Sequence, residues 1–189
     1  MARSFWYFIF YSFLGFLAET AFARAVRAPK RDRKCFYLLP LCPVYGLGAL
    51  LILAPMPQLR PYPLFVAIWS ALAATAAEYA MGLFYEKALG VAFWDYAHLP
   101  CNLRGRICPL FSFFWCLLGL LTVYVIHPIA AAALEGLPPW LLPVAAAILA
   151  ADGAVTVRLL RKTGSTDALC WYRNISLPVL TNFKSNLKN

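Results

Sequence analysis

The chain has 189 residues, 62% of them hydrophobic and only 13% charged, with a formal net charge of +9. A water-soluble domain carries roughly a quarter of its residues as charges, so this composition excludes one. Apolar runs of about 18 residues or more read as membrane helices. The chain is therefore expected to be an all-α polytopic membrane protein, with a transmembrane helical bundle at 1–162 and a polar cytoplasmic tail at 163–189.

Five spans are expected. The first runs from Ser4 to Ala23. It lacks a basic stretch followed by a small-residue cleavage site, and it carries Glu19, so it reads as a retained helix rather than a signal peptide. The second runs from Pro43 to Leu53. Before it stands Leu39-Pro40-Leu41-Cys42-Pro43, and inside it Tyr45-Gly46-Leu47-Gly48. Proline disfavours helix at the preceding residue and glycine weakens it. Either a simple kink or a broken, re-entrant segment beginning near Tyr37 satisfies these residues, the latter only where protein covers the freed backbone. The third span runs from Pro63 to Tyr85, the fourth from Ile107 to Ala131 and the fifth from Pro139 to Leu160.

Between the third and fourth spans lies Phe93 to Cys108, the one long polar interruption between strongly apolar segments. It holds Trp94, Asp95, Tyr96, Asn102, Arg104 and Arg106, with Gly105 between the two arginines. Aromatics and snorkelling arginines at a headgroup interface account for each residue singly. The group as a whole exceeds what a connector needs.

Charge sets the expected orientation. Of the 17 lysines and arginines, 15 fall between Arg24 and Lys34, in the loop after span three, or from Arg158 onward. With five spans these regions share one side, and the other keeps Arg3 and Arg60. The positive-inside rule then places the N-terminus outside and the C-terminus in the cytoplasm. Basic loops against anionic headgroups account for the net charge, so no nucleic-acid partner is expected.

In this topology the carboxylates Glu19, Glu78 and Asp152 all lie in the cytoplasmic half of the bilayer. Glu86, Asp95 and Arg106 sit at the loop or its edges. A charge at such depth costs on the order of 3 kcal/mol, so it faces the bundle or a wet cavity. Ser12, Gly15 and Glu19 share one helix face, as do Glu78, Gly82 and Tyr85. The bland alternative is that Glu19 and Glu78 are structural, each paired with a loop arginine.

Six cysteines without a CxxC pair, and only two histidines, give no expected metal site, and no cofactor is indicated. Most of the cysteines fall on the cytoplasmic side, where disulfides are not expected. His127-Pro128 reads as a packing feature. The sequon Asn174-Ile175-Ser176 falls on the predicted cytoplasmic side. No phosphate-binding GxxxxGK[ST] loop is present, so any ATP-driven step requires a separate subunit.

Several blocks occur in one order: Phe13-Leu14-Gly15 with Glu19, Leu41 to Gly48, Glu78-Tyr79 with Glu86-Lys87, Trp94-Asp95-Tyr96, Asn102 to Cys108 and His127-Pro128. Together they resemble the CmpB-like family, labelled type IV ABC-transporter permeases. The motifs cover Phe5 to Pro128 and leave the fifth span and the tail uncovered. One departure is visible: the family often has Gly-Pro where this chain has Leu39-Pro40. The resemblance implies a membrane transport component in a bacterial cytoplasmic membrane, working as a homo-oligomer or with a separate ATPase subunit.

Two functional readings remain at this stage, beside a third as a helper subunit in a larger complex. The first is a permease-like component with a cytoplasm-facing polar cavity, its substrate held by Arg106, Asn102, Tyr45, Trp94, Tyr96, Glu86 and Arg104. The second is a membrane enzyme acting on a lipid or lipid-linked substrate, with Glu78, Asp95 and Glu19 as catalytic groups and arginines gripping a phosphate. Both expect Glu19, Glu78, Asp95 and Arg106 to converge on one cavity walled by Tyr45, Trp94 and Tyr96.

Overall fold

The computed structural model describes residues 2–28 and 34–170, so the sequon and the rest of 171–189 lie outside the described residues. Helices α1 (Ala2–Ala25), α2 (Pro43–Leu53), α3 (Met56–Leu59), α4 (Pro63–Phe84), α5 (Pro109–Leu121), α6 (His127–Ala133) and α7 (Leu141–Thr163) follow in order. Pro43, Pro63 and Pro109 occupy the first turns of α2, α4 and α5, where a missing N–H costs nothing and the fixed φ favours helix. A wide π turn, Tyr85–Leu89, extends α4 to the left-handed Gly90. Another, Thr122–Ile126, joins α5 to α6 just before Pro128 removes a donor from the ladder. Among the described residues the only extended pairing is an isolated bridge between Leu103 and Ile107.

Four helical stretches are long and apolar enough to cross a bilayer: Ala2–Ala25, Pro63–Leu89, Pro109–Ala133 and Leu141–Thr163. The second expected span is present as α2 with the expected bounds, as a helix shorter than those four. With 11 residues, α2 is about 16 Å long, roughly half a hydrocarbon core. The chain covers the remaining height without helix. From Lys34 to Cys42 it runs without helix past Asp152 and Thr156 of α7, until the Cys42 N–H donates to the Ser12 carbonyl at 2.9 Å, halfway along α1. There α2 begins and continues antiparallel to α1. The broken, re-entrant start is thus the one adopted.

Such a segment survives at membrane depth only if its backbone is satisfied by protein, and α7 does this. Asp152, 4% exposed, accepts from the amides of Leu38 (3.0 Å) and Leu39 (2.7 Å). The Thr156 hydroxyl, one turn further, accepts from the Tyr37 amide at 2.9 Å. Lys34 Nζ donates to the Tyr37 carbonyl at 2.7 Å.

Large apolar side chains do little to hold helices together in lipid, where they are equally well solvated outside; small residues and close contact do. On α4 the buried face is Ala73, Ala74, Ala77 and Ser70, while Leu64, Phe65, Ile68 and Leu72 point outward. At the α1–α2 crossing, a Cβ on Gly15 would lie 2.2 Å from the Tyr45 ring, and one on Gly46 would lie 2.6 Å from the Phe8 carbonyl. Only glycine permits that approach. Across α4 and α5, Thr75 donates to Ser112 at 2.8 Å.

The helix ends that carry the basic residues gather at one end of the bundle. Phe22 near the end of α1 meets Phe111 at the start of α5, and Arg161 of α7 donates to the Ala88 carbonyl. Leu160 and Leu169 pack there on Tyr85 and Leu89, so the segment after α7 folds back onto the bundle as far as it is described. At the far end Arg3 lies 3.9 Å from Glu135, and Tyr124 donates to the Arg60 carbonyl. His127 packs there between Tyr7 and Tyr11, accepting or donating at 3.1 Å with the Tyr11 hydroxyl.

Candidate functional site

Toward the basic end a cavity of about 120 Å³ opens between α1, α2, α4 and α5. Glu19 of α1, Tyr45 of α2, Glu78 of α4 and Trp115 of α5 line it, as do Trp94 and Tyr96 from the loop before α5. The two carboxylates are met by neutral donors. Tyr45 Oη donates to Glu19 Oε1 at 2.7 Å. Tyr96 Oη donates to Glu78 Oε1 at 2.8 Å, and Trp115 Nε1 to Glu78 Oε2 at 3.1 Å. The Tyr45 and Trp115 rings stand 5.0 Å apart, so the two carboxylate groups are bridged by one continuous aromatic wall. Burial, and then the adjacent Glu78 carboxylate, hold the Tyr96 phenol well above its ordinary pKa, so it remains a donor.

The rest of the wall is also aromatic: Phe22, Phe93 and Phe111. Tyr96 stacks on Phe111 with ring centroids 4.5 Å apart and planes 14° from parallel. On the re-entrant side lie Lys34, Cys35 and Cys42, the two sulfurs within 3.8 Å of each other.

The loop from Phe93 to Cys108 is a self-knit platform. The Tyr96 amide donates to the Gly105 carbonyl at 2.8 Å, and the Leu103 amide to the Ile107 carbonyl at 2.9 Å. Asn102 fastens its centre: Nδ2 donates to the carbonyls of Ala97 and Leu99, and Oδ1 accepts from the Gly105 amide. Asp95 is exposed and accepts from the Ala97 amide two residues on, at 2.8 Å. Gly105, at φ +69°, faces that carboxylate where a Cβ would come within 2.6 Å of Oδ1. The platform's product is the placement of Trp94 and Tyr96 over the cavity.

Arg106 has a different partner from the one expected. Its side chain lies along Gly82, donating through Nε to Glu86 Oε1 at 3.0 Å and through Nη2 to Glu86 Oε2. The guanidinium also stands 5.3 Å over the Tyr79 ring. Glu86 sits two turns beyond Glu78, and its fork-on-fork match to the guanidinium outcompetes a deeper, harder-to-desolvate pairing with Glu78.

The structure therefore divides the expected residues. Glu19, Glu78, Tyr45, Trp94 and Tyr96 come together around one cavity; Asp95, Asn102, Arg104, Arg106 and Glu86 do not line it. Arg104 is exposed at a positive φ of 55°. The reason is local: Asp95 and Asn102 are consumed by the turn chemistry of their own loop, and Arg106 is claimed by Glu86. Sequence reasoning missed Trp115. It stands in the apolar run Phe111 to Leu121, where no charged residue announces a site, though Phe111 and Trp115 share a helix face at a spacing of four.

Neither a curated protein nor a solved structure matches the chain. One family does, described as Putative ABC-transporter type IV, over residues 6–157. The match runs beyond the motif blocks into α7, so the helix that holds the re-entrant segment is part of the shared unit. With four membrane-length helices and a match over most of its length, the chain belongs to this ABC-transporter family of integral membrane proteins.

Proposed function

We propose that this chain is the permease-like membrane component of a transport system, with ATP hydrolysis supplied by a separate subunit. The cavity between α1, α2, α4 and α5 is its cargo site, opening toward the cytoplasm at the basic end of the bundle. The observation that carries this is the meeting of Glu19 and Glu78, from two different helices, in one aromatic-walled cavity. Intramembrane carboxylates directed inward mark substrate or ion pathways. The broken second traverse supports the same reading, since non-helical backbone at membrane depth accompanies transport sites. The enzyme alternative draws less support: the arginine that would grip a phosphate is bonded to Glu86, and Asp95 lies in its own loop.

The test uses inside-out vesicles from cells carrying the native chain, Glu78→Gln, or neither. Uptake of a mixed solute panel is read by mass spectrometry with and without ATP. At least one solute should accumulate in an ATP-dependent way with the native chain alone. An identical panel in all three preparations overturns the proposal. Cysteines introduced at Gln58 and Leu137 should react with impermeant reagent from outside intact cells, and one at Ser165 only after permeabilisation. The reverse pattern removes the cytoplasmic opening.

A further inference from the structure

We infer that the cavity takes an amphiphilic organic cation, with an ammonium head among the carboxylates and an apolar body in a groove that opens sideways between α1 and α5. The inference rests on the cargo-site reading above and names the cargo's class.

The head site is built for positive charge. Two carboxylates, Glu19 and Glu78, face one lysine, Lys34, at the rim, and that ammonium already donates to the Tyr37 carbonyl. The donors seen on Glu19 and Glu78 are phenol and indole groups, each using one acceptor position of an oxygen. A carboxylate offers about four such positions, so capacity remains on both. The aromatic side chains of Tyr45, Tyr96, Trp94 and Trp115 line the cavity around them. Aromatic walls with carboxylates are how proteins hold ammonium groups, because ring faces attract a cation without demanding a proton from it. An anionic head would meet two like charges, and a neutral one would leave the carboxylates uncompensated by charge.

The groove is a separate feature and meets the head site. Helix α1 touches the α5–α6 arm at its two ends: Phe22 against Phe111 near the basic end, Tyr7 and Tyr11 against His127 at the far end. Between these contacts the helices part. A space of about 380 Å³ lies beside Ala18, Phe114, Leu117 and Leu121, and another of about 260 Å³ continues past Leu14, Ala49 and Ile126. Tyr45 and Trp115 line both spaces and the polar cavity, and Glu19 lines the polar cavity and the larger groove. Phe114, Leu117 and Leu121 are also exposed on the outer surface, so the groove is reached from the lipid side. A molecule partitioned in the leaflet can therefore slide its body between α1 and α5 and bring a cationic head to Glu19 and Glu78 without crossing water.

The experiment titrates octyltrimethylammonium, octanol and octanoate against the purified full chain in nanodiscs of zwitterionic lipid. Empty nanodiscs correct for partitioning, and binding is followed by tryptophan fluorescence and retained radiolabel. The ammonium should bind at least about tenfold more tightly than the alcohol, and the carboxylate most weakly. Glu19→Gln and Glu78→Gln, which preserve shape and an acceptor, should each lose most of that preference. Ala18→Trp fills the groove: it should weaken octyltrimethylammonium but leave tetramethylammonium unchanged. Equal binding of ammonium and alcohol, or an unchanged preference in two folded Gln variants, overturns the cationic head. Equal loss of both cations in Ala18→Trp overturns the groove. The transport reading fails separately: cation binding with an ATP-independent vesicle panel removes transport and keeps the site, whereas ATP-dependent uptake without cation binding removes this cargo class.

Discussion

Two carboxylates of this bundle, Glu78 and Asp152, are equally hidden, each 4% exposed. Their surroundings differ. Asp152 receives the backbone amides of Leu38 and Leu39, groups that belong to the main chain and cannot leave. Glu78 receives the ends of two aromatic side chains, Tyr96 and Trp115, beside a cavity. The first arrangement is made by the chain's own main chain and holds a broken segment in place. The second leaves acceptor capacity facing space. Burial alone therefore does not separate a structural membrane carboxylate from one available to a ligand; the kind of donor and the presence of room beside it do.

The largest effect on stability is expected at Asp152. Asp152→Ala removes the acceptor of two backbone amides, a loss of about 3 kcal/mol. It should lower the melting temperature of the solubilised protein and open the chain between Lys34 and Cys42 to protease. Asp152→Asn keeps one acceptor oxygen and should recover about half of the shift. If Asp152→Ala melts like the native protein, the contrast with Glu78 collapses.

A smaller shift is expected at the Arg106–Glu86 pair, which fixes the start of α5 against the end of α4. Arg106→Ala and Glu86→Ala should each lower the melting temperature by less than half as much as Asp152→Ala. The double variant should fall short of the sum, since the second change removes a partner already lost. Additive losses would show that the two side chains act independently.

The smallest shift in melting is expected for Glu78→Gln, because the amide oxygen can still accept from Trp115 or Tyr96. Transport, by contrast, should fall to background in the vesicle assay. A large drop in melting temperature with transport retained would move Glu78 into the same structural class as Asp152.

The helical spans were legible because periodicity and proline punctuation are local: Pro43, Pro63 and Pro109 start helices wherever the rest of the chain goes. That Glu19 and Glu78 stand at one level of the bundle was legible for the same reason, since helix rise converts residue number into height, and both line one cavity. Partners were not. Arg106 lies closer in sequence to Asp95 and Asn102 than to Glu86, yet it binds Glu86. Only the fold-back of the Phe93–Cys108 platform brings the start of α5 beside the end of α4.

By itself, the sequence determined an all-helical membrane bundle, the family, the clustering of basic residues at one end, and carboxylates on the inner faces of α1 and α4. These follow from transfer free energies and helix geometry, which act residue by residue. Tertiary structure alone decided that the second traverse is half extended, that α7 supplies its hydrogen bonds, and that Trp115 joins Tyr45 and Tyr96 around Glu19 and Glu78. Those outcomes depend on which donors meet which acceptors across helices far apart in sequence. At membrane depth no water can make up for a missing partner, so that pairing selects the arrangement.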